Sequence, residues 1–121
     1  MSALYSALTL TIAFMTLIAF VDPGHSSQPK SGIASIYSYQ GSKTASGEVA
    51  RADGLTAAHP TLPFGTMVRV INHRNGRSVV VRINDRGPFT RGRVIDLTPA
   101  AAHQLAFSGI TPVSLEVVGK R

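Results

Sequence analysis

Two alternating runs joined by a tight turn constrain this chain more than any other feature. In TMVRVIN (66–72), Val68 and Val70 fall on one face and Arg69 on the other. In VVVRINDRGPF (79–89), Val79, Val81 and Ile83 oppose Val80, Arg82 and Asn84. Between them HRNG (73–76) carries Asn75-Gly76, a strong hairpin signal. The pair predicts an antiparallel hairpin with one apolar face, which needs further strands to cover it. Gly87 and Pro88 then end the second strand in a turn, where its charged residues fall. By unbroken alternation Asp85 shares the face of Val79, Val81 and Ile83, and so sits at the mouth of the core, half out of water. Two roles suit a carboxylate there: a cap for the turn Asn84–Gly87, or a member of a site.

The rest of the chain supplies partners for that hairpin. GIASIYSY (32–39) is a short β-prone run. QGSKTASGEVARADG (40–54) is a long polar loop holding Glu48, and long loops inside small domains are usually functional. LTAAHPTLPFGT (55–66) cannot be helical across Pro60 and Pro63, and His59 before Pro60 is biased to extended backbone. After the basic loop Thr90–Arg93, VIDL (94–97) reads as a strand. Thr98-Pro99 is an N-cap with proline at the first helical position, predicting a helix over 100–107 that stops at Gly109. PVSLEVV (112–118) alternates as a last strand. Dense strands and turns around one short helix predict a small, closed or nearly closed barrel, which removes exposed sheet edges.

Residues 3–21 carry no charge and are followed by Asp22-Pro23-Gly24. Residues 1–26 are expected to be a signal peptide or an uncleaved membrane anchor, 27–31 a linker, and 32–118 one domain. The expected location is the periplasm or cell envelope. The formal net charge of the whole chain is +6, and only Asp22 among charged groups would leave with the leader. A basic exported domain suits an anionic partner such as a wall polymer, lipid head groups or nucleic acid. Cysteine is absent, which excludes a thiolate nucleophile and a thiolate metal site, and the core must close without disulfides.

Three stretches stand together in order: KTASGE (43–48), LTAAHPTLPFGT (55–66) and VVVRINDRGPF (79–89), followed by GRVIDLTPAAA (92–102). They resemble the catalytic domain of the rare lipoprotein A family over roughly residues 32–118. The resemblance implies a mainly β fold, a six-stranded double-psi β-barrel with a short helix, related to expansins. It also implies a lytic transglycosylase that cuts the β-1,4 bond between N-acetylmuramic acid and N-acetylglucosamine in peptidoglycan, leaving a 1,6-anhydromuramoyl end. Characterised members favour strands stripped of stem peptides. The family's site positions fall on Asp85, Glu48 and His59. Family members commonly carry tryptophan where this chain has Ile36, so Tyr37 or Tyr39 would have to supply a sugar-stacking ring. The 121 residues hold neither a lipid-anchoring cysteine nor the repeat domain of many members, so anchoring and septal targeting are not carried over.

The chemistry asked of such a site is an acid for the leaving oxygen and negative charge beneath an oxocarbenium-like transition state. The muramoyl C6 hydroxyl replaces water as nucleophile, and no cofactor or metal is required. Asp85 is expected to act as acid and then base, Glu48 as its partner, and His59 as a hydrogen-bonding member. Arg86, Arg91 and Arg93 are candidate contacts to acetamido carbonyls or lactyl carboxylates. Glu116 reads as a solvated strand residue, Asp96 as a structural residue before the helix, and Asp53 as a turn residue. The alternative is a non-catalytic, expansin-like wall-binding module. Nucleic-acid binding is disfavoured by the leader and by the lack of an aromatic-interleaved basic stripe. A metal site of His59, Asp85 and Glu48 is chemically conceivable, though no H-E-x-x-H spacing is present.

Overall fold

The computed structural model describes residues 30–37 and 40–121. The leader, residues 27–29 of the expected linker and Tyr39 lie outside the described residues, while Lys30 and Ser31 of that linker belong to the first strand. Six strands and one helix follow in order: β1 Lys30–Ile36, β2 Thr56–Ala58, β3 Thr66–Asn72, β4 Ser78–Asp85, β5 Arg93–Leu97, α1 Pro99–Gln104 and β6 Ile110–Lys120. The strands close into a barrel in the order β1-β5-β2-β4-β3-β6. β1–β5 and β2–β4 are parallel; the other four pairings are antiparallel. Closure satisfies the edges without disulfides. Among the described residues no helix is long and apolar enough to cross a membrane.

The core is built by alternation. Val68 and Val70 of β3, Val79, Val81 and Ile83 of β4, Ile95 and Leu97 of β5, and Val113 of β6 fill the interior with Ala34 and Ala57. The predicted hairpin joins β3 to β4, with Gly76 in the left-handed region and its amide bonded to the Asn72 carbonyl. Asn72 is buried with every polar atom engaged. Its Nδ2 donates to the Leu105 carbonyl at 2.9 Å, and its Oδ1 accepts from the Arg74 amide and the Thr111 hydroxyl. That network ties the hairpin to the helix end and to β6.

Three local features add to the sequence reading or depart from it. The stretch 55–66 contains β2, a three-residue strand between β4 and β5 that has too few residues to show alternation. The helix ends at Gln104 rather than 107, because Ala106 turns left-handed with φ 53°. The Ala106 amide then bonds the His103 carbonyl and the Phe107 amide the Ala102 carbonyl, a Schellman stop formed without glycine. The third concerns β4. Its register against β2 pairs Ala57 with Ile83 and Ala58 with Asp85, so Asn84 is an extra residue at a bulge. Alternation breaks there. Asn84 is buried, and Asp85 falls with Ala58 on the outside of the barrel, not with Ile83 inside it.

Candidate active site

The bulge creates the site by turning Asp85 outward. On the outer face Ala58 packs with Tyr37 and Ala50 in a small cluster of its own. The register carries a lateral row across four strands: Ser35 pairs with Asp96, Asp96 with Ala58, and Ala58 with Asp85. Two carboxylates therefore flank one alanine strand, roughly 10 Å apart at the backbone for two inter-strand steps. Ala58 between them is buried beneath Tyr37 and Ala50. The sequence reading gives Asp96 a structural role; the register adds that it stands across β2 from Asp85. Its buried neighbours Ile95 and Leu97 already placed it on the outer face, but only the pairing with β2 brings it opposite Asp85.

Each carboxylate is held differently. Asp85 Oδ1 accepts from the Ala45 amide at 2.9 Å and from the Arg86 amide at 2.9 Å. Asp96 Oδ1 accepts from the Ser35 hydroxyl. The Ala45 amide arrives from the loop 40–54, a miniature hairpin closed by the bridge Lys43–Val49 and docked on β4 through Ser46 N to the Asn84 carbonyl. Tyr37 is only 7% exposed and its hydroxyl bonds the Thr56 side chain. Burial first, and then the charges of Asp85 and Asp96, push its pKa up, so the phenol stays protonated beside the two acids. Buried in this way, Tyr37 presents no open ring face to a ligand.

The same loop fixes Glu48 one step away along β4, against Arg82. Arg82 Nη2 donates to Glu48 Oε2 at 2.8 Å and Nη1 to Oε1, a bidentate pair. Hydrogen bonding from Arg82 holds the Glu48 carboxyl below its usual range, with desolvation opposing it. Glu48 is a fixed anion in the wall of a cleft of about 320 Å³, lined also by Arg51, Leu55, Met67 and Asn84. A wider groove at Arg77, His103 and Phe107 shares no residue with the carboxylates.

His59 is 8% exposed. Its Nδ1 accepts from the Thr61 amide at 3.1 Å and the Leu62 amide at 3.0 Å. Nδ1 is thus unprotonated and the ring neutral. Burial, reinforced by Lys30 and Arg86, lowers its pKa and agrees with that assignment. The backbone of His59 grips the site residues from both sides: its amide donates to the Asp85 carbonyl, and its carbonyl accepts from Arg86 Nη1 at 3.1 Å. Arg86 also donates to the Leu62 carbonyl and stacks 4.1 Å above the Phe64 ring. Its guanidinium is engaged within the protein. Arg91 is exposed on the loop beyond, and Arg93 at the start of β5. Among the described residues no group of three or more His, Asp or Glu is arranged to hold a metal ion.

Comparison with known proteins matches this geometry to a family. A profile described as lytic transglycolase covers residues 30–115. The chain is 60% identical over 95 residues to a probable endolytic peptidoglycan transglycosylase RlpA of Nostoc sp., an alignment covering 74% of this chain and 26% of that protein. It is 52% identical over 99 residues to the endolytic peptidoglycan transglycosylase RlpA of Yersinia pestis, covering 80% of this chain and 27% of that one. The chain thus spans about a quarter of the length of these relatives. Among solved structures, an apo expansin of Clavibacter michiganensis superposes with a TM-score of 0.62 at 26% identity, over 78% of this chain and 52% of the expansin.

Proposed function

The chain belongs to the lytic transglycolase family, and from that premise we propose that it cleaves the β-1,4 bond between N-acetylmuramic acid and N-acetylglucosamine in peptidoglycan strands. The observation that carries this reading is the outward-facing pair Asp85 and Asp96 across Ala58. Two amides occupy Asp85 Oδ1, which leaves Oδ2 as the oxygen that exchanges a proton with substrate. Asp85 gives that proton to the bridging oxygen as the C1–O bond breaks. Positive charge then develops at C1 and the ring oxygen, and the carboxylate of Asp96 favours it electrostatically, with Glu48 assisting only to the extent that its Arg82 partner leaves its charge uncompensated. The C6 hydroxyl of the muramoyl residue bonds to C1 and returns its proton to Asp85. The products are a 1,6-anhydromuramoyl end and a free N-acetylglucosamine hydroxyl, with no water consumed. His59 positions Asp85 and Arg86 through its backbone. The setting is the exported cell envelope, with residues 3–21 as leader or anchor.

A second reading is an expansin-like module that binds the wall polymer without cutting it. The expansin likeness and the complete pairing of Glu48 with Arg82 favour it. Digestion of isolated sacculi separates the two. Release of soluble anhydromuropeptides supports transglycosylation, whereas pelleting with sacculi and no soluble product supports binding alone.

A further inference from the structure

The site needs an apolar surface to hold a sugar ring. Of the two rings anticipated for that role, Tyr37 is buried and Tyr39 lies outside the described residues, while Arg86 covers a face of Phe64. Phe89 does. It is 84% exposed, the most open aromatic ring among the described residues. Two residues earlier Gly87 adopts a φ of +112°, a turn that a side chain would strain. The point from which a side chain at Gly87 would start lies 3.8 Å from Phe89 Cε2 and 4.0 Å from Asp96 Oδ2. The Phe89 ring edge and the Asp96 carboxylate thus border the same glycine. The base of the loop is anchored, with Arg86 bonded to two carbonyls and the Gly92 carbonyl accepting from the Ile33 amide. Arg91 stands exposed on the same loop and Arg93 where it enters β5.

A single exposed aromatic is ordinary on a protein surface. One beside the Asp96 carboxylate, on a loop anchored at its base and carrying Arg91, has the chemistry of a carbohydrate platform: an apolar ring for the C–H face of a pyranose and guanidinium donors for its acetamido carbonyls. We propose that Phe89 stacks against a pyranose ring of the glycan strand and so sets the strand's position over Asp85 and Asp96. This rests on the proposed glycan substrate, and adds the residue that supplies apolar affinity in a chain with isoleucine at position 36.

The chain contains no tryptophan, so Phe89→Trp installs a sole indole reporter at the platform. In the full-length protein carrying Asp85→Asn to suppress turnover, soluble peptide-free glycan oligomers should shift and quench that indole's emission. Dextran of similar length should not. In the otherwise unmodified protein, Phe89→Ala should weaken glycan affinity and raise KM about tenfold, the scale of covering one face of a large apolar side chain. The kcat should change less, Tm should hold, and Phe89→Tyr should restore KM. The inference is overturned if Phe89→Ala binds glycan as wild type does, or if the indole responds equally to dextran. Failure of the transglycosylase reading looks different: wild type would release no anhydro product, while an indole response to glycan would still support the platform.

Discussion

His59 tests whether a histidine brought in by family resemblance acts through its ring or through the turn it holds. Its Nδ1 accepts two backbone amides, Thr61 and Leu62, within a nearly buried pocket. Removing that acceptor resembles deleting a helix N-cap, worth about 0.5–2 kcal/mol. Lost packing of the ring brings the cost of His59→Ala to about 2 kcal/mol, or roughly 8–16 °C in Tm for a domain of this size. His59→Asn places Oδ1 where Nδ1 stood and should recover most of that loss. The pH dependence separates them further. Because the folded pKa lies below 6.5, the unfolded chain binds the proton more readily. The stability from a neutral His59 is therefore complete above pH 6.5 and is lost as pH falls below it towards the folded pKa. Melts of wild type should weaken across that window and melts of His59→Asn should not. With Asp85 and Arg86 still gripped by the backbone, the asparagine variant should keep most sacculus-digesting activity. A stable His59→Asn protein as inactive as Asp85→Asn would refute the positioning role and put the ring in the chemistry.

Further outcomes follow from single groups. Asn72→Ala strands the Thr111 hydroxyl and removes a bond from the Leu105 carbonyl, and should cost about 2–4 kcal/mol in a urea melt; an unchanged midpoint would contradict the buried network. Ala106→Gly relieves a left-handed alanine and should leave Tm unchanged or raise it by a few degrees, since relief of about 1–2 kcal/mol is offset by a more flexible unfolded chain. Arg82→Met should move the Glu48 titration up in an NMR pH series, because Arg82 is the main cause of its depression. The exposed pair itself should contribute only about 0–1 kcal/mol to stability, present above the unfolded carboxylate range and lost as pH falls through the folded pKa.

The sequence disclosed most where local periodicity and local chemistry agree. The β3–β4 hairpin was readable because alternation and Asn75-Gly76 point the same way, and the helix start because Thr98-Pro99 is a self-contained cap. Features decided by non-local pairing were hidden. β2 is three residues whose strand character comes from its two neighbours. The bulge at Asn84 leaves no mark in composition, yet it moves Asp85 from the expected inner face to the outer one. Asp96 sits beside a helix start that offers it a sufficient local explanation, and only the row through Ala58 gives it a second. The helix stop escaped notice because alanine, not glycine, takes the left-handed turn. Asp85 stands out already as a carboxylate at a strand end before Gly87-Pro88, whereas Glu48 and His59 take their roles from motif resemblance. Their arrangement, with Glu48 paired to Arg82 and His59 turned to the backbone, depends on contacts far apart in the chain.

The central claim is that Asp85 delivers and recovers the proton of an anhydro-forming cleavage. The direct measurement is mass analysis of the soluble products from sacculi incubated with wild type and with Asp85→Asn, alongside melts of both proteins. Wild type should release fragments ending in 1,6-anhydromuramic acid, lighter than the hydrolytic products by one water. Asp85→Asn should keep its fold and still pellet with sacculi while product falls about 10²–10⁴-fold. A folded Asp85→Asn protein releasing anhydro fragments at near the wild-type rate would contradict the account.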